Sequence, residues 1–181
     1  SEIGYEVYLL DPSRGTELWD RILKAGAPYD IRPTGPCDIR RIEGGIFNWG
    51  ADMTYENNPF ELGLERLVDL DMTGECVAMD ALRRIRDRGV ARRIAGVALD
   101  GDPFPALNFT KWPAQVEGRQ VGHVTSAIYS PRLKKNIGYC WLPTPLAVPG
   151  TTVNVASEWG GRTATVTPLP FVDPQKRIPV S

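Results

Sequence analysis

Histidine is nearly absent from this sequence: His123 stands alone among 181 residues. A metal site built on several imidazoles is excluded, and any histidine-dependent mechanism must run through that one side chain. Flanked by Val121, Gly122 and Val124, His123 reads as a strand residue with a satisfied imidazole. Cysteine is scarce too. Cys37, Cys76 and Cys140 are odd in number, far apart and in no C-x-x-C spacing, so neither a disulfide framework nor a zinc centre is indicated. A reducing cytoplasm is the expected setting. Net charge is close to nil, −1 from 21 basic and 22 acidic residues, which removes the electrostatic argument for nucleic acid or an anionic membrane. No apolar run approaches the roughly 20 residues of a bilayer-spanning helix, and no signal peptide is visible. Ser1 leads straight into GYEVYLL without an initiator methionine, so the expectation is a chain that begins inside a larger protein.

What is present organises into two pieces, a division the length allows. Residues 1–90 carry mainly helical periodicity and residues 91–181 mainly strand-like runs. Tyr5 to Leu10 has strand composition. Asp11-Pro12 offers an N-cap and a first-turn proline, after which Leu18, Trp19, Ile22 and Leu23 recur at helical spacing until Gly26. Pro36 opens a second helix on which Ile39, Ile42 and Ile46 form a stripe. Asn57-Asn58-Pro59 forces a turn, a short helical piece follows through Leu62 to Val68, and Ala78 to Arg88 forms a helix ended by Gly89. Beyond Ala91 the strands expected are Arg93–Leu99, Gln120–Thr125, Asn136–Leu142, Thr152–Ala156 and Arg162–Thr167. Turn signals at Gly101-Asp102, Glu117-Gly118, Pro149-Gly150 and Gly160-Gly161 separate them, the pattern of a small barrel or sandwich.

The most specific stretch runs from Arg41 to Leu64, RIEGGIFNWGADMTYENNPFELGL. On a continuous helix Gly44 and Gly45 would share the face of Arg41 and leave it bare, either for a flat ligand or for close packing on a sheet. Arg41 could also pair structurally with Asp38 or Glu43. Asn108-Phe109-Thr110 fits a glycosylation sequon without a secretory signal to give it meaning.

Three blocks, in order, resemble the aminomethyltransferase family: the glycine cleavage T-protein, tetrahydrofolate-dependent demethylases, and the folate domains of sarcosine and dimethylglycine oxidising enzymes. EIGYEVY at Glu2 to Tyr8 is similar to the family's Gly-aromatic-Glu strand. RIEGGIFNWGADM with NPFELGL is similar to its R-L-E-A-G, Y-G-x-D and T-P-x-E-x-G-L run. VGHVTSAIYSPRLKKNIGYCWLP at Val121 to Pro143, with PLPFVDP at Pro168 to Pro174, is similar to its C-terminal barrel signature. The resemblance covers the latter half of a typical member, and the family's catalytic aspartate near folate N5 and N10 has no counterpart here. It implies an α+β fold: the second half of a folate-binding α+β domain followed by a small antiparallel β-barrel.

By that resemblance tetrahydrofolate is the cofactor, and the chain, incomplete by itself, works with the missing N-terminal half of the same protein. The implied reaction moves a methyl or aminomethyl unit from a small amine, sulfonium or similar donor. Glu6 would read the pterin, whose amino group and ring N–H suit a bidentate carboxylate. Arg41 would donate to the folate, while Tyr5 and Trp49 are the aromatic candidates for walling its rings. Strand alternation places Tyr5 opposite Glu6 and hence toward a core. Asp52, Asn58 and Glu61 also match, although turn and capping roles explain them as well. Lys134 and Lys135 could attract a polyglutamate tail or simply form a solvated turn. No catalytic acid or base and no metal ligand is identified. NNPFELGL and SAIYSP are closer to the dimethylsulfoniopropionate demethylase branch than to the T-protein. The alternatives are a non-catalytic folate-binding protein of the iron-sulfur assembly type, whose K-G-C-Y-x-G-Q-E motif GECVAMDAL does not reproduce, and the folate domain of a flavin-dependent amine-demethylating enzyme.

Overall fold

The computed structural model describes residues 4–74, 76–175 and 177, and its chain contacts divide it between positions 37 and 38. Glu2 and Ile3 of the first motif lie outside the described residues.

Residues 4–37 hold one substantial helix, α1 (Gly15–Gly26). Asp11 starts it through the preceding turn, accepting the Ser13 amide at 3.1 Å and the Ser13 hydroxyl at 2.7 Å, with Pro12 in the position where a missing N–H costs nothing. Glu17 pairs with Arg14 and Arg21 along the surface. The expected strand over Tyr5–Leu10 forms no ladder and ends in a bend at Leu10, and no described residue of this unit is buried. A strand requires a neighbour to take its N–H and C=O groups, so composition alone does not form one.

Residues 38–175 form the second unit. Strands β1 (Arg92–Leu99), β2 (Trp112–Val116), β3 (Arg119–Ser130), β4 (Lys135–Pro143), β5 (Thr152–Ser157) and β6 (Gly160–Thr167) close into a six-stranded antiparallel barrel in the order β1-β4-β3-β2-β5-β6. Closure removes the exposed edges that would otherwise recruit other strands. Glu117 and Gly118, with φ of 50° and 78°, give the β2–β3 hairpin the paired left-handed residues that match strand twist. The α+β class with a small antiparallel barrel is as expected. β2 lies outside the expected runs; its Pro113, a residue that sheets confine to edges and bulges, pairs with His123 beside a bulge at Ala114/Gln115.

The barrel interior is filled by Val97, Leu99, Trp112, Ala114, Val124, Val153, Val155 and Val166, among others. β5 alternates as a two-faced strand should, with Val153 and Val155 inward. β4 is buried almost throughout because its outer face is covered too. There Ile94, Ile137, Tyr139 and Trp141 meet Ile42 of α2 (Asp38–Glu43), with Phe47, Leu62, Leu169 and Phe171 around them. This outer layer carries the 41–64 stretch against the barrel wall. Helix α3 (Met79–Arg88) ends at Gly89, φ 75°. Among the described residues no helix is long and apolar enough to cross a membrane.

Candidate functional site

The 41–64 stretch is built from a helix stop, a tight turn and a capped turn. α2 ends at Glu43, so Gly44 and Gly45 do not extend the helix face past Arg41 as expected; they terminate it. The Gly45 amide donates to Ile42 O at 3.1 Å and the Ile46 amide to Arg41 O at 2.8 Å, with Gly45 at φ 71°. This is the Schellman arrangement, in which a left-handed residue turns the chain and satisfies the last carbonyls. Ile46 accordingly leaves the expected stripe and is exposed. A Cβ on Gly45 would come within 3.3 Å of Pro170 Cβ, so the late PLPFVDP segment lies directly on this turn. The Val172 amide donates to Glu43 O at 3.0 Å.

Beyond the stop, the chain folds around Asp52. Its side chain has no solvent exposure. Oδ2 accepts the Asn48 amide at 2.8 Å and Arg41 Nη1 at 2.9 Å; Oδ1 accepts Thr125 Oγ1 and Ser126 Oγ, each at 2.6 Å. Neighbouring residues in a regular strand point to opposite faces, yet Thr125 and Ser126 reach the same oxygen. The pairing of β3 with β4 shifts between Val124 and Ser126, and such a bulge re-aims a side chain. The Asp52 carbonyl also accepts Trp141 Nε1 at 2.9 Å.

Arg41 is the opposite half of this node. Nε donates to Asp38 at 2.6 Å, Nη1 to Asp52, and Nη2 to Ser126 Oγ at 3.0 Å. All three guanidinium nitrogens thus have intrachain acceptors, and the side chain is 15% exposed. The pairing with Asp38 is one of the two expected; Glu43 instead accepts from Ser130 Oγ at 2.5 Å. Tyr139 Oη lies 3.2 Å from the carbonyls of Arg41, Ile42 and Ile46, tying the helix end to β4. Burial, followed by the nearby Asp52 charge, pushes the Tyr139 phenol well above its ordinary pKa, which keeps it a neutral donor.

Trp49 sits on the turn between Arg41 and Asp52, where Gly50 N donates to Met53 O at 2.8 Å. It is 52% exposed and meets Tyr55 edge to face at 4.4 Å between centroids, so its ring is presented rather than buried. Asn58 and Glu61 cap one another's backbone: Asn58 Oδ1 accepts the amides of Phe60 and Glu61, and Glu61 Oε2 accepts that of Asn58. The Glu61 carbonyl then takes Ile94 N at 2.9 Å, which docks the loop on β1.

In the first unit Glu6 is exposed, with the Tyr8 hydroxyl on its carboxylate. Tyr5 is 91% exposed, which corrects its assignment to a core: without a sheet there is no inner face. The structure therefore brings Arg41 and the Trp49 turn together through Asp52, while Tyr5 and Glu6 belong to the other unit. Sequence reasoning missed Thr125 and Ser126. They lie inside the quoted barrel motif, but a strand bulge leaves no signature in it.

Two further expectations fall outside this site. Asn108 is a buried structural residue, with Nδ2 donating to Thr110 O and Thr125 O and Oδ1 accepting Ala127 N, so its sequon is not presented. His123 lies in β3 as expected, but its half-buried imidazole has no protein hydrogen bond among the described residues. Burial first, then Lys111 and Arg92, hold its pKa below the ordinary value.

The model of the GCVT N-terminal domain matches residues 1–72, and that of the glycine cleavage T-protein C-terminal barrel domain matches residues 92–173. The chain belongs to the glycine cleavage T-protein family. A dimethylsulfoniopropionate demethylase of Ruegeria pomeroyi is 34% identical over 163 residues, 90% of this chain and 44% of that protein. An aminomethyltransferase of a Synechococcus species is 36% identical over 171 residues, 94% of this chain and 45% of its own length. The chain thus spans under half the length of these T-protein relatives. The crystal structure of the glycine cleavage system aminomethyltransferase T from Bartonella henselae superposes with a TM-score of 0.66 at 24% identity, covering 75% of this chain and 38% of the other. That likeness establishes the fold.

Proposed function

We propose that this chain is the folate-facing shoulder and barrel of a tetrahydrofolate-dependent one-carbon transferase. The observation that carries the reading is its similarity, along most of its length, to both an aminomethyltransferase and a demethylase. The site residues are compatible with a folate in different ways. Glu6 offers an exposed carboxylate that would accept the pterin amino group and ring N–H as a pair. Tyr5 and Trp49 present aromatic surface that would wall its rings by offset or edge contacts. Arg41 fits less directly, since Asp38, Asp52 and Ser126 already take its three nitrogens. Its proposed part is to hold the Trp49 turn, with any contact to folate limited to the N–H bonds those acceptors leave.

Tetrahydrofolate, when bound, supplies the nitrogen that receives the one-carbon unit. The chain's own contribution is to bind and orient it, and orientation of acceptor against donor accounts for much of such a rate. We place the group that moves the proton in the half of the protein beyond this sequence, and the compartment in the cytoplasm. The donor is a small methylated amine, sulfonium or similar molecule, with the sulfonium branch favoured by NNPFELGL and SAIYSP. Incubating the intact protein with tetrahydrofolate and a donor panel, then weighing the folate product, tests this. A 5-methyl product supports demethylation and a 5,10-methylene product aminomethyl transfer; unmodified folate with every donor would overturn the assignment.

A further inference from the structure

Away from Asp52, a hollow of about 430 Å³ opens where the ends of β1, β3, β4 and β6 meet the 100–103 turn. Its lining includes Lys134, Lys135, Tyr129, Thr163 and Thr165. None of these five side chains has a hydrogen-bond or ion-pair partner among the described residues. Asp100 is the one carboxylate in the lining, and its Oδ1 accepts the Thr163 amide at 2.8 Å. Cations therefore outnumber anions, and every unpartnered head can donate a hydrogen bond.

The surroundings of the 100–103 turn are fixed. Asn136, 2% exposed, accepts the Phe104 amide at 2.8 Å and donates to Asp102 O at 3.0 Å. Asp100 N donates to Thr163 O at 3.0 Å. Arg162 stands over the Phe104 ring, 5.5 Å from its centroid, and its guanidinium fills the space where a side chain on Gly101 would go. Lys134, in the turn before β4, has φ 52°, a left-handed conformation unusual for a residue of its type. Lys134 and Lys135 both line the hollow.

We propose that this hollow is a binding site for a small anion bearing a carboxylate or phosphate group. Ammonium and hydroxyl donors suit either, since charge-assisted hydrogen bonds to such oxygens are the strong ones, and a preformed wall lowers the ordering cost of binding. The site lies in the barrel, and its test needs no folate.

Succinate and inorganic phosphate, each titrated into the intact protein by calorimetry with amide shifts followed by NMR, distinguish the two chemistries. Saturable binding of one, with shifts centred on Lys135 and Thr165, is expected, and the tighter probe names the group. The Lys134→Asn/Lys135→Gln pair, in which asparagine keeps the left-handed turn, should weaken it about tenfold or more. Thr165→Val, which leaves the charge unchanged, should weaken it several-fold. No saturable binding of either probe, or an unaltered affinity in Thr165→Val with loss in the lysine pair alone, would overturn the proposal, the latter by reducing it to unspecific charge attraction.

Discussion

Arg41 Nη1 and Asp52 Oδ2 lie 2.9 Å apart, with Asp52 wholly screened from solvent and Arg41 nearly so. Both charges carry further partners, Asp38 and Ser126 on one side, Thr125, Ser126 and the Asn48 amide on the other. A buried pair satisfied in this way is tolerated, whereas removing one member strands the other. Asp52→Ala should therefore cost about 3 to 5 kcal/mol of folding stability, read as a lowered urea midpoint. Arg41→Lys should also destabilise, because an ammonium cannot reproduce three divergent N–H bonds. In a double-mutant cycle the two sites should be strongly coupled; additive losses would mean that the node does not act as a unit.

Gly45 gives a sharper contrast with its neighbour. At φ 71°, and with Pro170 Cβ 3.3 Å from the point where a side chain would begin, Gly45→Ala should destabilise by about 1 to 2 kcal/mol, the cost of a left-handed residue that carries a Cβ. Gly44→Ala, which needs no left-handed conformation, should lose less. Thermal melts of the two variants measure the difference.

The three thiols should divide by burial. Cys37 and Cys76 are exposed and Cys140 is buried, where desolvation pushes its pKa up to about 12. The thiolate is the reactive form. Native protein at neutral pH should therefore titrate Cys37 and Cys76 with a thiol reagent and reveal Cys140 on denaturation. Because the folded pKa lies above the unfolded one, the neutral thiol contributes stability that is fully present below the unfolded value and lost as pH rises toward 12. Fast reaction of Cys140 in native protein would contradict its placement in the barrel.

His123 has the opposite sign. Its folded pKa lies below the ordinary 6.5, so unfolded protein binds the extra proton, and stability falls as pH drops from the unfolded pKa through the folded one. Half-burial keeps the effect small. An NMR titration of the single imidazole should give a midpoint under 6.5, and His123→Gln should flatten the stability profile in that window.

Much of this was legible in sequence because it depends on local rules. Asp11-Pro12 starts α1, Gly89 ends α3, and Glu117-Gly118 turns the β2–β3 hairpin; each is a residue type matched to a dihedral. Asn58 and Glu61 likewise declare a capped turn. What escaped depends on partners distant in sequence. The joint approach of Thr125 and Ser126 to Asp52 comes from a bulge set by β4, and β2 forms despite Pro113 because β3 and β5 take its remaining groups. The same reason explains Tyr5–Leu10, whose composition is that of a strand and whose described surroundings supply no neighbour. For the candidate site, Arg41 and Trp49 were singled out by motif position, but only the fold distinguishes a guanidinium already taken by Asp38, Asp52 and Ser126 from a ring left exposed.

The central claim is that the Glu6 carboxylate and the Trp49 turn serve a tetrahydrofolate site. Titrating the intact protein with tetrahydrofolate by calorimetry, alongside Glu6→Ala and Trp49→Ala, tests it most directly. Saturable binding is expected, weakened about tenfold or more by loss of the charge-assisted pair at Glu6 and less by loss of the Trp49 ring. Equal affinity in all three proteins, or no binding to the unaltered one, would contradict it.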